Sequence, residues 1–298
     1  MSSNNYKNIL LIGATGNVGK PVFQALLGDS TFRLSVLSRA NSNATFPSNV
    51  NVIKVDYSDT AALTKALTNQ DVVISTIGGE GLASNFGEIL IQAAIDAKVK
   101  WLIPSEFGID LDDPAVNIPL LGSKVSVNNL LKQNQSKLAY TLITTGPFLD
   151  WGLANGFLGF DVKNRTATLY DQGQNQFSGA TLATIANTIV AILHKPEVAL
   201  NKRVYVADAT FTQQQALNLF EKYTNNKWTV KNIATADARK DAEASLAQGN
   251  IGAAFVGYIL SYVYGGSKGT VFDGKAVNQQ LGVPTVSLDQ IVQQIVKQ

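Results

Sequence analysis

The sequence contains no cysteine, one histidine and few charged side chains, and each shortage excludes a class of protein. Without cysteine, the 298-residue chain can have no disulfide bond, thiol nucleophile or thiolate metal site. One histidine cannot by itself make a histidine-rich metal site. Sites for hard cations built from carboxylates alone stay open, and we assign no metal site to the chain. Only 15% of the residues are charged, against about 25% in a typical soluble protein. Uncharged polar side chains must therefore cover much of the surface.

The chain also lacks a large excess of positive or negative charge, and it lacks long apolar segments. The 24 Lys and Arg residues and 22 Asp and Glu residues give a net charge of +2, with no basic cluster of the kind that binds nucleic acid or an anionic membrane. The N-terminal residues lack the apolar segment of a signal peptide, and no stretch of about 18 uncharged apolar residues follows. We therefore expect a soluble cytoplasmic protein that binds neither nucleic acid nor a membrane.

Short apolar runs alternate with amphipathic helical patterns in the first half of the chain. Strands are predicted at residues 8–12, 32–37, 50–55, 71–77, 100–103 and 140–144, with helices at 17–28, 60–67, 86–97 and 123–131. This alternation predicts an α/β fold with a doubly wound parallel sheet of the Rossmann type, covered by helices on both faces.

The pattern changes beyond about residue 150. A stretch rich in glycine and aromatic residues, 151–160, precedes mixed short elements, with helices predicted at 182–193, 213–222, 253–262 and 288–296. We interpret residues 1–150 as a Rossmann domain and residues 151–298 as a smaller α+β substrate-binding lobe. Because no linker separates them, the boundary is soft and the two parts can interweave.

A glycine-rich turn joins the first predicted strand to the first predicted helix. Its GxxGxxG spacing lets the backbone bend tightly at Gly13 and Gly16 and approach a pyrophosphate, while Gly19 lets the helix pack closely on the strand. The helix N-terminus then presents free N–H groups to the phosphates. The turn predicts an NAD(P)-binding site, with a glycine turn that binds no ligand as the alternative. Its predicted cofactor-binding residues are Gly13, Thr15, Gly16, Asn17, Val18 and Gly19.

The residues at the end of the second predicted strand indicate which dinucleotide binds. An acidic residue about 20 positions beyond the glycines would bind the ribose 2′-hydroxyl of NAD, but this chain has Ser38 and Arg39 there. A guanidinium suits a 2′-phosphate, so NADP(H) is favoured over NAD(H), with an ordinary exposed arginine as the alternative. Asp56, after the third strand, either accepts a hydrogen bond from the adenine amino group or caps the next helix.

Four segments resemble the isoflavone reductase-like and NmrA-like group of atypical short-chain reductases. They are GATGNVGK at 13–20, LSR at 37–39, STIG at 75–78 and, most specific, WLIPSEFG at 101–108. The similarity covers residues 8–150 and weakens beyond them. The resemblance implies a Rossmann domain that binds NADPH, a smaller substrate domain and a cleft between them, with the nicotinamide near Ile77, Gly78 and Phe148.

The same resemblance implies a catalytic lysine. In reductases of this group, a lysine on the helix after the Pro-Ser-Glu-Phe-Gly block serves as general base or proton relay, and Lys124 matches that position. Helical spacing places Lys124 on one face with Val127, Asn128 and Leu131, which indicates partial desolvation and a lowered pKa. A lysine that covers apolar surface with its stem and keeps its ammonium in water is the alternative.

Other residues are assigned less directly. Phe148, Trp151 and Tyr258 are predicted to contact substrate, with core packing as the alternative. The pair Tyr223 and Lys227 has the spacing of a dehydrogenase Tyr-x-x-x-Lys motif, but it lies beyond the Rossmann half and we interpret it as coincidence.

The expected activity is that of an NADPH-dependent reductase. Hydride would pass to an activated C=C or C=O bond of a small apolar substrate, with an aromatic substrate favoured and Lys124 as proton relay. The segment after Lys124 lacks the basic residues that plant reductases carry, which argues against plant phenylpropanoid substrates. The alternatives are an NADPH quinone reductase, and an NmrA-like regulator that senses a dinucleotide without turnover and reports to a protein partner.

Overall fold

The computed structural model describes residues 6–78 and 85–297 of the chain. The chain divides into two compact units, each built from three separate segments. Unit 1 comprises Met1–Glu106, Leu120–Ile143 and Ile185–Val204, and unit 2 comprises Phe107–Pro119, Thr144–Thr184 and Tyr205–Gln298. The division between the units therefore lies at several points along the chain and not at one residue near 150.

The strands of the described residues are β1 (Asn8–Ile12), β2 (Arg33–Arg39), β3 (Asn51–Val55), β4 (Val72–Ser75), β5 (Trp101–Ile103), β6 (Ala139–Thr144), β7 (Phe160–Asp161), β8 (Thr166–Tyr170), β9 (Gln176–Gly179), β10 (Lys202–Tyr205), β11 (Ala209–Thr212) and β12 (Thr229–Ile233).

The α-helices of the described residues are α1 (Gly19–Leu27), α2 (Thr60–Leu67), α3 (Phe86–Asp96), α4 (Gly122–Gln133), α5 (Leu149–Ala154), α6 (Leu182–His194), α7 (Pro196–Ala199), α8 (Gln213–Thr224), α9 (Thr235–Ala247), α10 (Ile251–Val263), α11 (Asn278–Leu281) and α12 (Leu288–Val296). None of them combines the length and the apolarity needed to cross a membrane within the described part of the chain.

Unit 1 is built on a seven-stranded parallel sheet in the order β3-β2-β1-β4-β5-β6-β10. Chain order runs outward in both directions from β1, so the strand order reverses between β1 and β4. That reversal is the topological switch point at which doubly wound folds bind ligands beyond the carboxyl ends of their strands. The predicted α/β fold of the Rossmann type is therefore confirmed.

The central strand β1 is buried on both faces. Its register sets Ile9 opposite Leu34 of β2 and Val72 of β4, and the side chains of β1 from Ile9 to Ile12 are fully buried. A parallel strand covered by helices on both faces has no solvent side, so its sequence is a continuous apolar run rather than an alternating one. This is why the run is visible in the sequence.

All the predicted strands and helices occur, with ends that differ by no more than two residues from the predicted ones. The prediction did not include β10, which adds the seventh strand to the sheet of unit 1 from residues beyond 150. It also did not include α9, a mostly exposed helix that has little apolar periodicity.

Unit 2 contains two small sheets and a set of helices. An antiparallel pair joins β11 to β9, and a second sheet has the order β12-β8-β7. Helix α8 ends where Asn225 adopts a left-handed conformation with φ of 50°. Tyr223 and Lys227 therefore do not lie on one continuous helix, which removes the geometry that a Tyr-x-x-x-Lys motif requires.

Candidate functional site

The glycine turn follows β1 at the switch point of the sheet. Gly13 has φ of +84°, and a Cβ there would lie 2.9 Å from the hydroxyl oxygen of Thr76. A Cβ on Gly19 would collide with the carbonyl oxygen of Gly13. Gly13 must therefore lack a side chain because its backbone is left-handed. Gly19 must lack one because α1 approaches the turn closely at this residue.

Thr76 holds the turn from the neighbouring strand. Its hydroxyl donates a 2.8 Å hydrogen bond to the carbonyl oxygen of Ile12, and its backbone N–H donates to the same oxygen at 2.9 Å. The ends of β1 and β4 are thereby joined directly beneath Gly13. Thr76 lies within the STIG segment at 75–78, but the sequence indicates no role for it, because its contact with the turn depends on strand pairing.

A cavity of about 800 Å³ lies at the carboxyl ends of β1 to β4. Its volume is in the range of small-molecule and cofactor sites. The structure brings seven of the predicted cofactor residues together around it. They are Gly13, Thr15 and Gly16 of the turn, Ser38 and Arg39 at the end of β2, and Ile77 and Gly78 after β4.

We call this space the nucleotide cavity after its predicted ligand. The remaining predicted cofactor residues lie beside it and do not line it. Asn17 is exposed, Val18 is buried at the start of α1, and Gly19 begins the helix. Asp56 accepts hydrogen bonds from the backbone N–H of Ser58 at 3.0 Å and from its hydroxyl at 2.8 Å. These two bonds hold the pKa of Asp56 below its usual value.

The alternative role of Asp56 as a helix cap is wrong. The N-cap of α2 is Asp59, whose carboxylate accepts a 2.9 Å hydrogen bond from the backbone N–H of Ala62. Asp56 instead stabilises the turn that precedes this cap. Asp56 lies four residues before the first residue of α2 and Asp59 lies one before it, so the sequence did not distinguish them.

Two aromatic rings in the nucleotide cavity were missed by the sequence analysis. Tyr57 stacks on Phe86 with ring centroids 4.7 Å apart, and both line the cavity. The hydroxyl of Tyr57 donates a 3.2 Å hydrogen bond to the carbonyl oxygen of Leu37. Burial raises the pKa of Tyr57 to about 12, against the opposing effect of the Arg39 charge, so the phenol stays neutral near this guanidinium.

Lys124 lies in the first turn of α4 and points to the end of β5. Its ammonium nitrogen donates a 2.6 Å hydrogen bond to the backbone carbonyl of Glu106. Burial lowers the pKa of Lys124, and the negative charge of Glu106 opposes that shift. A lowered pKa of Lys124 is what its helical spacing predicts, because Val127 and Asn128 of the same helix face line the same cavity as Lys124.

Glu106 itself belongs to a buried ion pair. Its carboxylate lies 2.8 Å from a guanidinium nitrogen of Arg203, and the two side chains are 3% and 7% exposed. Arg203 comes from β10, so no local pattern connects it with Glu106 in the sequence. Buried charges are costly unless paired, and the pair therefore anchors the residue that accepts the lysine hydrogen bond.

Lys124 lines a second, smaller cavity of about 50 Å³, which we call the lysine cavity. The lysine cavity and the nucleotide cavity share Ile77 and Phe86 as lining residues. Ser105 donates a 2.6 Å hydrogen bond to the carbonyl oxygen of Ile77 and fixes the chain at this boundary. The two cavities of unit 1 are therefore adjacent.

Comparison with known proteins assigns the family. The model of the NmrA-like family matches residues 5–248. The chain belongs to the NmrA-like family. It is 30% identical over 295 residues to the oxidoreductase aprR of Aspergillus flavus, a match that covers 97% of this chain and 98% of the relative. The expectation that this NmrA-like chain is an oxidoreductase is thereby confirmed.

Solved structures of reductases share the fold of the NmrA-like chain at low sequence identity. The structure of AtPrR2 with NADP+ and (+)-pinoresinol matches with a TM-score of 0.81 and 22% identity, over 98% of this chain and 99% of that one. The quinone oxidoreductase QOR2 of Escherichia coli, complexed with NADPH, matches with a TM-score of 0.75 and 20% identity, over 96% and 99% of the two chains.

The predicted substrate residues of the NmrA-like chain belong to unit 2. Phe148 is half-buried immediately before α5, and Trp151 packs on Phe157 with ring centroids 5.4 Å apart. Tyr258 is 2% exposed, with the Arg239 guanidinium 4.5 Å from its ring centroid. Tyr258 is thus a core residue of unit 2, and contact of these three side chains with substrate stays a prediction.

Proposed function

We propose that the protein is an NADPH-dependent reductase that delivers hydride to an activated C=C or C=O bond of a small apolar substrate, with Lys124 as the proton relay. The observation that carries this proposal is the adjacency of the nucleotide cavity and the lysine cavity, which meet at Ile77 and Phe86. A proton donor thereby lies next to the space in which a dinucleotide would bind.

The residues around the nucleotide cavity fit a dinucleotide. A Cβ on Gly16 would meet no atom closer than 3.5 Å, so glycine at this position is not required by packing. It leaves the backbone open to a ligand, as the pyrophosphate of a dinucleotide requires. Gly13, Thr15 and Gly16 would hold the pyrophosphate.

Arg39 supports the phosphorylated nucleotide. Its exposed side chain lines the cavity at the carboxyl end of β2, where a carboxylate would repel a 2′-phosphate and a guanidinium attracts it. Ile77 and Gly78 would hold the nicotinamide at the end of the cavity nearest to Lys124.

The mechanism assigns the proton to this chain's own residues. When bound, the nicotinamide supplies the hydride. Lys124 gives a proton to the carbon or oxygen that has become negatively charged, and the lowered pKa of its ammonium makes that transfer easier near neutral pH. The carbonyl of Glu106 holds the ammonium in place while Lys124 exchanges protons.

Similarity to known proteins supports the proposed reductase activity. The relative that spans nearly the full chain is named an oxidoreductase, and the structural neighbours are reductases whose structures contain NADP+ or NADPH. The E. coli neighbour acts on quinones by its name, which is the observation that favours a quinone reductase as the second candidate.

The test measures NADPH oxidation by the purified protein across a panel of enones, quinones and aromatic ketones. We expect turnover with NADPH and a loss of about 100-fold or more in Lys124→Met, the size typical of a lost general acid. Lys137→Met is the matched control, because Lys137 is an exposed lysine shortly after the same helix. Equal rates in the two variants would remove Lys124 from the mechanism.

The panel also separates the alternatives. Turnover of quinones alone favours the quinone reductase. NADPH binding, measured by calorimetry, without turnover of any compound would favour the dinucleotide sensor. No binding of either NADPH or NADH would overturn the proposal as a whole.

A further inference from the structure

Asn128 is a buried amide with no partner in the described structure. Its side chain lies one turn of α4 beyond Lys124 and lines the lysine cavity. The residue is 3% exposed, and neither its amide nitrogen nor its amide oxygen has a hydrogen-bond partner among the described residues.

An unsatisfied amide at this position would be costly. Leaving a buried donor or acceptor without a partner costs roughly 1–3 kcal/mol, and buried polar groups in folded proteins are nearly always satisfied by protein or ordered water. An asparagine in a helix interior also has no advantage in helix propensity over leucine or alanine. The amide therefore requires a ligand that hydrogen-bonds to both its atoms.

The lysine cavity has the size and the lining for water. Its volume is about 50 Å³, and one water needs roughly 10–15 Å³ of such volume. A buried water also needs two to four polar partners. The cavity supplies Ser75, Ser105, Glu106, Lys124 and Asn128 among its lining residues, so a water can satisfy the amide and still reach another polar group.

We propose that Asn128 binds ordered water in the lysine cavity and that this water carries protons to Lys124. This inference rests on the proposed reductase, because a relay matters only if Lys124 gives up a proton. Asn128 is then a positioning residue, since it acts on the reaction through the water and Lys124. The ligand of this site is water, which the Asn128 amide binds by donating a hydrogen bond from its nitrogen or accepting one at its oxygen.

The relay closes the proton balance of the reaction. Each reduced C=C or C=O bond takes up one hydride and one proton. The ammonium of Lys124 breaks one N–H bond to supply the proton, and the neutral amine must then form a new N–H bond with a proton from bulk solvent. Lys124 is partly buried and lines the lysine cavity, so a water held in this cavity provides a route for that proton.

The test compares Asn128→Leu with the matched control Asn129→Leu. Leucine has the same branching of side-chain heavy atoms as asparagine without the polar atoms, and it favours helix. Asn129 is the adjacent, exposed residue of the same helix. Urea denaturation verifies that both variants fold. Crystal structures of the wild-type protein and of Asn128→Leu then show whether the cavity holds water.

In the wild-type structure we expect a water within hydrogen-bond distance of the Asn128 amide, and we expect Asn128→Leu to lose it. In kinetics, kcat is expected to fall about tenfold or more in Asn128→Leu, within the range of proton-transfer effects, with the KM for NADPH unchanged. Asn128→Ser, which keeps a hydroxyl and leaves room for a further water, is expected to recover part of the rate. A purely structural role predicts no such recovery.

The pH profile gives a further readout. Water that accepts from the ammonium favours its charged form, so removing the water lowers the pKa of Lys124 further. The alkaline limb of the kcat/KM profile is therefore expected at lower pH in Asn128→Leu than in Asn129→Leu.

Three results would overturn the inference. They are a cavity without water in the wild-type crystal structure, an Asn128 amide bonded only to protein groups, and equal kcat and pH profiles in the two leucine variants. A wild-type protein that binds NADPH but reduces no compound overturns the reductase and with it the relay. The crystal structure alone then decides whether the water site exists.

Discussion

The ammonium of Lys124 donates a hydrogen bond of 2.6 Å to the backbone carbonyl of Glu106. The side chain of the same glutamate pairs with Arg203 at 2.8 Å. Glu106 therefore positions the lysine through its backbone and favours its charged form through its carboxylate, in opposition to the effect of burial. The position and the charge of Lys124 thus both depend on a residue that is anchored from β10.

Breaking the buried pair is expected to destabilise the protein. Arg203→Met leaves the Glu106 carboxylate buried without this counter-charge, and the cost of breaking such a pair is about 3–5 kcal/mol. The double variant Glu106→Gln with Arg203→Met is expected to lose less than the sum of the two single variants, because it leaves no unpaired charge. Urea denaturation of all four proteins at pH 7 measures this coupling, and additive losses would show that the pair is not coupled.

The lowered pKa of Lys124 predicts a pH-dependent contribution to stability. Between that lowered pKa and the usual value of 10.5, the unfolded chain holds a proton that the folded protein has released. The free energy of unfolding of the wild type therefore rises with pH in this window, relative to Lys124→Met. The gain is about 1.4 kcal/mol for each unit by which the pKa is lowered.

Guanidinium denaturation of wild type and Lys124→Met at pH 7 and pH 10 measures this gain. Lys137→Met serves as the control, since it removes an exposed lysine shortly after the same helix. A difference between wild type and Lys124→Met that stays constant over this range would show that burial does not lower the pKa.

Arg39→Ala is expected to remove the preference for NADPH. A hydrogen bond to a charged group contributes roughly 1.5–3 kcal/mol, so NADPH affinity should fall about 10- to 100-fold while NADH affinity stays the same. Arg33→Ala is the control, because Arg33 is the exposed first residue of the same strand and its removal changes the net charge equally. Calorimetric titration with both dinucleotides measures the effect, and equal losses in the two variants would assign it to net charge alone.

Three glycines in and beside α1, namely Gly16, Gly19 and Gly28, are expected to respond differently to alanine. Gly19→Ala forces a methyl group against the Gly13 carbonyl and is expected to cost about 1–3 kcal/mol or more, the range for overpacking. Gly16→Ala meets no atom closer than 3.5 Å, so stability should be preserved while dinucleotide binding weakens. Gly28→Ala, at the end of α1, has similar space and should change neither.

Thermal unfolding and NADPH titration of the three alanine variants separate these effects. A Gly16→Ala protein that binds NADPH as the wild type does would place the pyrophosphate elsewhere. Loss of stability in Gly28→Ala as large as that in Gly19→Ala would instead show that alanine is unfavourable in this segment for a reason other than contact with the turn.

The features that the sequence predicted well depend on neighbouring residues. The apolar run of β1 and the glycine turn after it are local patterns, and so is the spacing that sets Lys124 beside Asn128 on α4. The possible capping role of Asp56 was wrong because Asp56 and Asp59 both precede α2. Only the structure shows that Asp59 accepts the capping hydrogen bond.

The features that the sequence analysis missed join residues that are far apart in the chain. Tyr57 meets Phe86, Thr76 meets the turn, and Arg203 reaches Glu106 from β10. No periodicity or spacing connects such residues, because their distances follow from the order of strands in the sheet.

Residue order along the chain was therefore enough to establish a Rossmann sheet, its glycine turn and a lysine on a half-apolar helix, since each results from backbone preferences and periodicity within a few residues. Only the folded protein showed that the lysine cavity adjoins the nucleotide cavity at Ile77 and Phe86, and that Asn128 is buried there without a partner. The adjacency of the two cavities and the burial of Asn128 result from packing between segments that are distant in the chain. Such packing depends on all the tertiary contacts of the fold.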